Sequence, residues 1–241
     1  MQHIVIKLDS FHIALNFMRV IGQHMCKSGL EEVLSDSGVF GEATASNIML
    51  GKSYNRTVRT HKLTFEALMG VMWPLLQQWA DDHDRVLTNS DTMQSVTSMC
   101  EALQCRRYNT EYLAACFNNL VINLNTSNVL KLFTEFDLDL PLTSEYWRQY
   151  MSMVSILLEF VIAEREGNWD LHLSAFEAMF PWFSAYNHTN YTHWGAVYLA
   201  DMKLLPDTHC DIHQRFVSGN FVVQNLKVHT TKCLRIKHWN I

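Results

Sequence analysis

The chain has 241 residues, of which 48% are hydrophobic and 18% charged, and its formal net charge is -5. Such a composition can bury a substantial core and excludes an intrinsically disordered chain. The mild acidity excludes whole-molecule attraction to nucleic acid, so any such binding needs a local basic patch. One large domain, or one domain with a helical insertion, is the economical organisation.

Met1 to Asp9 lacks the basic start and long apolar run of a secretory signal. An intracellular protein is therefore expected, with Cys26, Cys100, Cys105, Cys116, Cys210 and Cys233 as reduced thiols. The most apolar stretch, Met151 to Ala163, is shorter than the roughly 20 residues a membrane span needs, and Glu159 interrupts it. It reads as a buried helix, and no membrane partner is expected.

In chain order, the β-branched run His3 to Leu8 predicts a short strand that ends at Asp9. Apolar residues from Phe11 to Met25 then follow helical spacing. Gly29, Gly38, Gly41 and Gly51 punctuate short helices and turns, and Lys52 to Ala80 predicts a long helix with a bend or break near Pro74. A polar loop is expected over Asp81 to Asp91, then amphipathic helices over Met93 to Cys105 and Glu111 to Asn123. Phe136 to Pro141 reads as a connection, and Thr143 or Ser144 caps an apolar helix from Glu145 to about Arg165 that Gly167 ends.

Asn168 caps the next helix, dense in aromatics from Trp169 to Phe183 and broken or kinked near its end by Pro181. Thr192 to Lys203 predicts a further helix closed by Pro206, and Val217 to Val223 a second short strand. Residues 225–241 carry Lys227, Lys232, Arg235 and Lys237 and form a divergent basic tail. The expectation is a mainly α, multi-helix domain with one or two short strands over residues 1–224. Its parts are a strand–helix start (1–27), a helical insertion (28–143) and an aromatic-rich helical part (144–224).

Asp9 sits where a strand is expected to give way to a helix, a place where a carboxylate can bind a divalent metal. It can equally cap the helix by accepting from the Phe11 or His12 amide. His209, Cys210 and His213, with His229, Cys233 and His238, offer zinc-type ligands at a spacing that fits no finger pattern. His188, Asn190 and Tyr191 concentrate hydrogen-bonding groups beside a wall of aromatics, which suits a ligand or a set of helix caps. Arg56, Arg59, His61 and Lys62 make a basic stripe that can meet phosphates or simply face solvent. A Gly-rich phosphate loop, a G-x-S-x-G elbow, an H-E-x-x-H helix and a C-x-x-C pair are all absent, which disfavours those enzyme classes.

Several phrases in order carry a resemblance: Asp9-Ser10-Phe11-His12-Ile13, Ser28-Gly29-Leu30-Glu31-Glu32-Val33, Gly51-Lys52 with Arg59-Thr60-His61, Arg165-Glu166-Gly167-Asn168-Trp169-Asp170-Leu171-His172-Leu173, His188-Thr189-Asn190-Tyr191 and Gly219-Asn220-Phe221-Val222-Val223-Gln224. On these the chain resembles a group of transposon-associated proteins of cnidarian and other invertebrate genomes. The resemblance implies a remnant of an α/β ribonuclease-H-like core with a large helical insertion. It implies Asp9 as a ligand of Mg2+ or Mn2+, His12 as its support, His188 as part of a second catalytic or structural patch, DNA as partner, and a nuclear location.

Intact relatives would cleave phosphodiesters with metal assistance. Here the first acid of such a core would have to lie upstream of Asp9, and the chain departs from those relatives after Gln224. The expectation is a truncated, transposon-derived fragment without complete nuclease activity. The alternative is a helical interaction module that docks another protein, or its own copy, through the aromatic region Trp169 to Trp194.

Overall fold

The computed structural model describes residues 5–85 and 126–222, and among them every regular element is helical. The helices are α1 (Ser10–His24), α2 (Leu30–Asp36), α3 (Glu42–Met49), α4 (Tyr54–Asp82), α5 (Thr126–Asp139), α6 (Leu142–Glu166), α7 (Trp169–Ala185), α8 (Thr189–Lys203), α9 (Leu205–Thr208) and α10 (Cys210–Val217). The chain divides into two compact units. One is Met1–Ala67 with Thr143–Leu226, and the other is Leu68–Leu142 with Lys227–Ile241.

The first unit is built on α1, whose buried Ile13, Ala14, Phe17, Met18, Val20 and Ile21 recur at the spacing of one wide helical face. Phe17 meets Phe183 of α7 edge-on at 5.7 Å. Helix α7 buries Trp169, His172, Phe176, Met179 and Phe183, alternate steps of three and four that make one continuous stripe. Helix α8 lies close on α7 because Gly195 has no side chain. A Cβ there would come within 2.7 Å of the Phe180 ring. Of the aromatics that suggested a docking surface, Trp169, Phe176 and Phe183 are buried, Phe180, Trp182, Tyr186 and Tyr191 are partly buried, and Trp194 is exposed.

In the second unit, the later half of α4 meets α5. Leu76, Ala80, Leu132 and Phe136 are buried, Trp79 lies against Phe136, and its indole N–H donates to Asp139 at 2.8 Å. Arg85 reaches Glu135 at 3.4 Å. Phe136 is therefore helical rather than part of a connection, since its ring completes this contact, and the helix runs on to Asp139.

Other boundaries move as well. Helix α6 begins at Leu142, ahead of Thr143 and Ser144, and ends as expected at Gly167, which adopts φ 68°. Asn168 does cap α7, accepting from the Leu171 N–H at 3.1 Å. Helix α4 continues through Pro74, and α7 through Pro181.

Neither strand forms among the described residues. Val5 to Leu8 carries no regular structure, because a strand exists only through a hydrogen-bonded neighbour, and no second strand is present among the described residues to supply one. Val217 closes α10, and Gly219 at φ 85° turns the chain while its N–H bonds the Phe216 carbonyl at 2.9 Å. Phe221 is thereby set against Trp169 at 5.0 Å. A ribonuclease-H-like sheet is accordingly not supported. The expected helices Met93 to Cys105 and Glu111 to Asn123, and the basic tail, lie outside the described residues.

Candidate functional site

Two local signals place the chemistry at the amino end of α1. Asp9, extended at φ -72° and ψ 115°, caps the helix: one carboxylate oxygen accepts from the Phe11 N–H at 3.3 Å. The other oxygen takes the ring nitrogen Nδ1 of His12, one turn along. A carboxylate can only accept, so Nδ1 carries the proton. Hydrogen bonding from His12 holds the Asp9 carboxyl below the usual carboxylate range, aided by the Phe11 amide and opposed by partial burial. Phe11 stands edge-on to the His12 ring and leans on Tyr54.

Opposite this pair lies the start of α8. Leu8, Asp9, His12, Ile13, Asn190, Tyr191, Trp194 and Gly195 line a cleft of about 420 Å3, within the size range of small-ligand pockets. The Tyr191 ring stacks on Phe183 at 4.9 Å, and its hydroxyl accepts from Asn16 at 3.1 Å. The same amide of Asn16 also donates to the His12 carbonyl. Trp194 is 61% exposed, and among the described residues its ring neighbour is His193, set edge-on at 87°. The Asp9 carboxylate is an acceptor, so a ligand edge that meets it carries N–H or O–H groups.

The seam continues along α1. His12, Asn16, Arg19 and Gln23 recur at steps of four, three and four, one stripe of the helix. Gln23 meets His188 at 3.3 Å, and burial together with the nearby Arg19 holds the His188 imidazole below its ordinary range. The structure thus brings Asp9, His12, His188, Asn190 and Tyr191 to one side of the first unit. It does not place Arg56, Arg59 or Lys62 on the cleft. Arg56 and Arg59 are exposed on α4, and Lys62 faces Glu66 at 3.6 Å.

Among the described residues no group of three or more His, Cys, Asp or Glu side chains is placed to hold a metal ion. The neighbours of the Asp9 carboxylate are an imidazole and a backbone amide, a donor set that suits a cap and not a dication. Among the described residues no such group accompanies Asp9 for Mg2+ or Mn2+. Of the zinc-type residues, Cys210 is free and exposed, while His229, Cys233 and His238 lie outside the described residues.

Asn16 was not singled out in the sequence, and Trp194 only as the far end of the aromatic region. Asn16 pairs with a residue 175 positions away, and no periodicity announces that. A buried relay also escaped notice. His172, fully buried, donates from Nδ1 to Glu164 at 2.5 Å, receives the Tyr198 hydroxyl at Nε2 at 3.2 Å, and stacks on Trp169. Burial lowers its pKa despite the carboxylate.

Asp9→Ala should cost about 1 kcal/mol through loss of the cap, whereas Asp9→Asn, an equally good cap, should change stability by a few tenths at most. Urea midpoints of the two variants check this, and equal losses would mean that the contact with His12, not the cap, matters.

These residues define a helical protein whose polar side chains converge on an open, ligand-sized cleft at one helix end. The chain belongs to the DUF8702 family, described as a domain of unknown function, with a match over residues 1–232. No curated protein and no solved structure matches it. No described helix is long and apolar enough to cross a membrane.

Proposed function

We propose that this chain is a nucleic-acid-contacting module of a transposon-derived protein, binding without cleaving. The supporting observation is the seam on α1: an imidazole, two amides and a guanidinium on one helical stripe, beside an exposed indole. Amides and guanidinium are the groups that read phosphates and base edges, and a local stripe suffices even in a chain of net charge -5. The Asp9 carboxylate is engaged by its own helix and His12, which favours binding over metal-assisted cleavage.

Anisotropy of a labelled 15-nucleotide DNA should rise on titration with the protein, weaken as salt rises, and weaken further on Arg19→Glu. No binding up to about 100 µM, the weak end of non-specific association, would sink the reading. Nicking of DNA with magnesium that disappears on Asp9→Asn would overturn the non-cleaving part.

A further inference from the structure

We infer that the cleft between α1 and α8 receives an unpaired base, so that the protein prefers single-stranded over duplex nucleic acid. The inference rests on the nucleic-acid reading above and goes further, by naming what enters the cleft. Three features carry it.

Trp194 is 61% exposed at the wall of the cleft, which leaves indole surface for a flat group to cover. An exposed indole costs solvation, and a base stacked on it removes apolar area from water whatever its sequence. The cleft, at about 420 Å3, has room for a base and its sugar but not for a duplex, whose bases are already stacked and paired. Finally, the polar groups around the indole are hydrogen-bonding and not merely charged: the Asn190 amide, the Asp9 carboxylate and the His12 imidazole. A base inside a duplex has its Watson–Crick edge occupied, whereas an unpaired one brings free donors and acceptors to these groups.

The test uses the full chain with a labelled 15-nucleotide DNA of mixed sequence, single-stranded or annealed to its complement. The single strand should bind about tenfold more tightly than the duplex. Trp194→Ala should lose about tenfold for the single strand, and Trp194→Phe, which keeps a stacking face, should restore most of it. The loss on Trp194→Ala should be larger for the single strand than for the duplex, and an unchanged circular dichroism spectrum certifies the fold of an exposed-site variant. Equal binding of both forms, untouched by Trp194→Ala yet weakened by Arg19→Glu, would overturn the unpaired-base inference and leave the broader reading standing. Absence of binding to either form would overturn both.

Discussion

Gly22→Ala should destabilise the first unit by about 2–3 kcal/mol, although the same change in most helices helps. Gly22 lies in the interior of α1, where alanine is intrinsically favoured over glycine by about 1 kcal/mol. Against that, a Cβ at this position would fall inside the contact shell of the Met49 carbonyl oxygen, with the carbonyl carbon at 2.7 Å. The obstacle is backbone at the end of α3, so no rotamer change relieves it. Either α3 shifts away from α1 or the core around Ile48 opens.

Gly70, mid-way along α4, is the natural control. A Cβ there meets nothing within 4 Å, so Gly70→Ala should raise stability by up to about 1 kcal/mol. Opposite shifts of the urea midpoint are expected for the two substitutions. A stabilised Gly22→Ala would mean that α1 and α3 do not approach as closely as described.

Mild acid should destabilise this protein, with His61 as a principal cause. The His61 side chain is fully buried between α4 and α6; its Nδ1 meets the Tyr150 hydroxyl at 3.0 Å, and its Nε2 finds no partner among the described residues. Desolvation pushes the imidazole down from 6.5 to about 4. The unfolded chain therefore binds a proton near pH 6.5 that the folded chain refuses until about pH 4. Stability is whole above pH 6.5 and falls as pH drops through that window, by a cumulative total of about 3 kcal/mol. His172, also lowered by burial, works in the same direction.

Measured by urea unfolding, wild type should lose about 2 kcal/mol between pH 7 and pH 5. His61→Phe, whatever its stability at pH 7, should lose markedly less over the same interval. An identical loss in both proteins would remove His61 from the account.

The helices that could be read in advance are those whose burial is periodic. The stripes of α1 and α7 are visible as residue spacing because one face of each is core. Punctuation was legible too: Gly167 and Asn168 mark the α6–α7 junction through a left-handed turn and a side-chain cap, both local events. The strands were misjudged because Val5, Ile6 and Leu8 have the propensity but lack a described partner, and propensity is weaker than pairing. Phe136 to Asp139 looked like a connection because Asp137 and Asp139 interrupt the apolar run. Nothing local announces that Trp79, sixty residues earlier, supplies an indole N–H to Asp139.

The candidate site divides along the same line. Asp9 and His12 form a pair three residues apart, and a cap with its neighbour can be read locally. The cleft itself needs the start of α8 against the start of α1, and whether Trp194 is core or surface depends on that packing. In a stretch where Trp169, Phe176 and Phe183 are all interior, an exposed tryptophan has no distinguishing spelling.

The Glu164–His172–Tyr198 relay has a consequence for how firmly three helices are held in register. Purely aliphatic contacts let one helix slide past another by a turn, about 5.4 Å, and find a second acceptable fit. Here Glu164 belongs to α6, His172 to α7 and Tyr198 to α8, and each supplies one member of a chain of donors and acceptors. A slip of one turn would leave a carboxylate, an imidazole and a phenol facing apolar neighbours with no partner in reach, each costing about 1–3 kcal/mol or more. The relay therefore acts as an alignment key, and it penalises a misassembled bundle more than it strengthens the correct one.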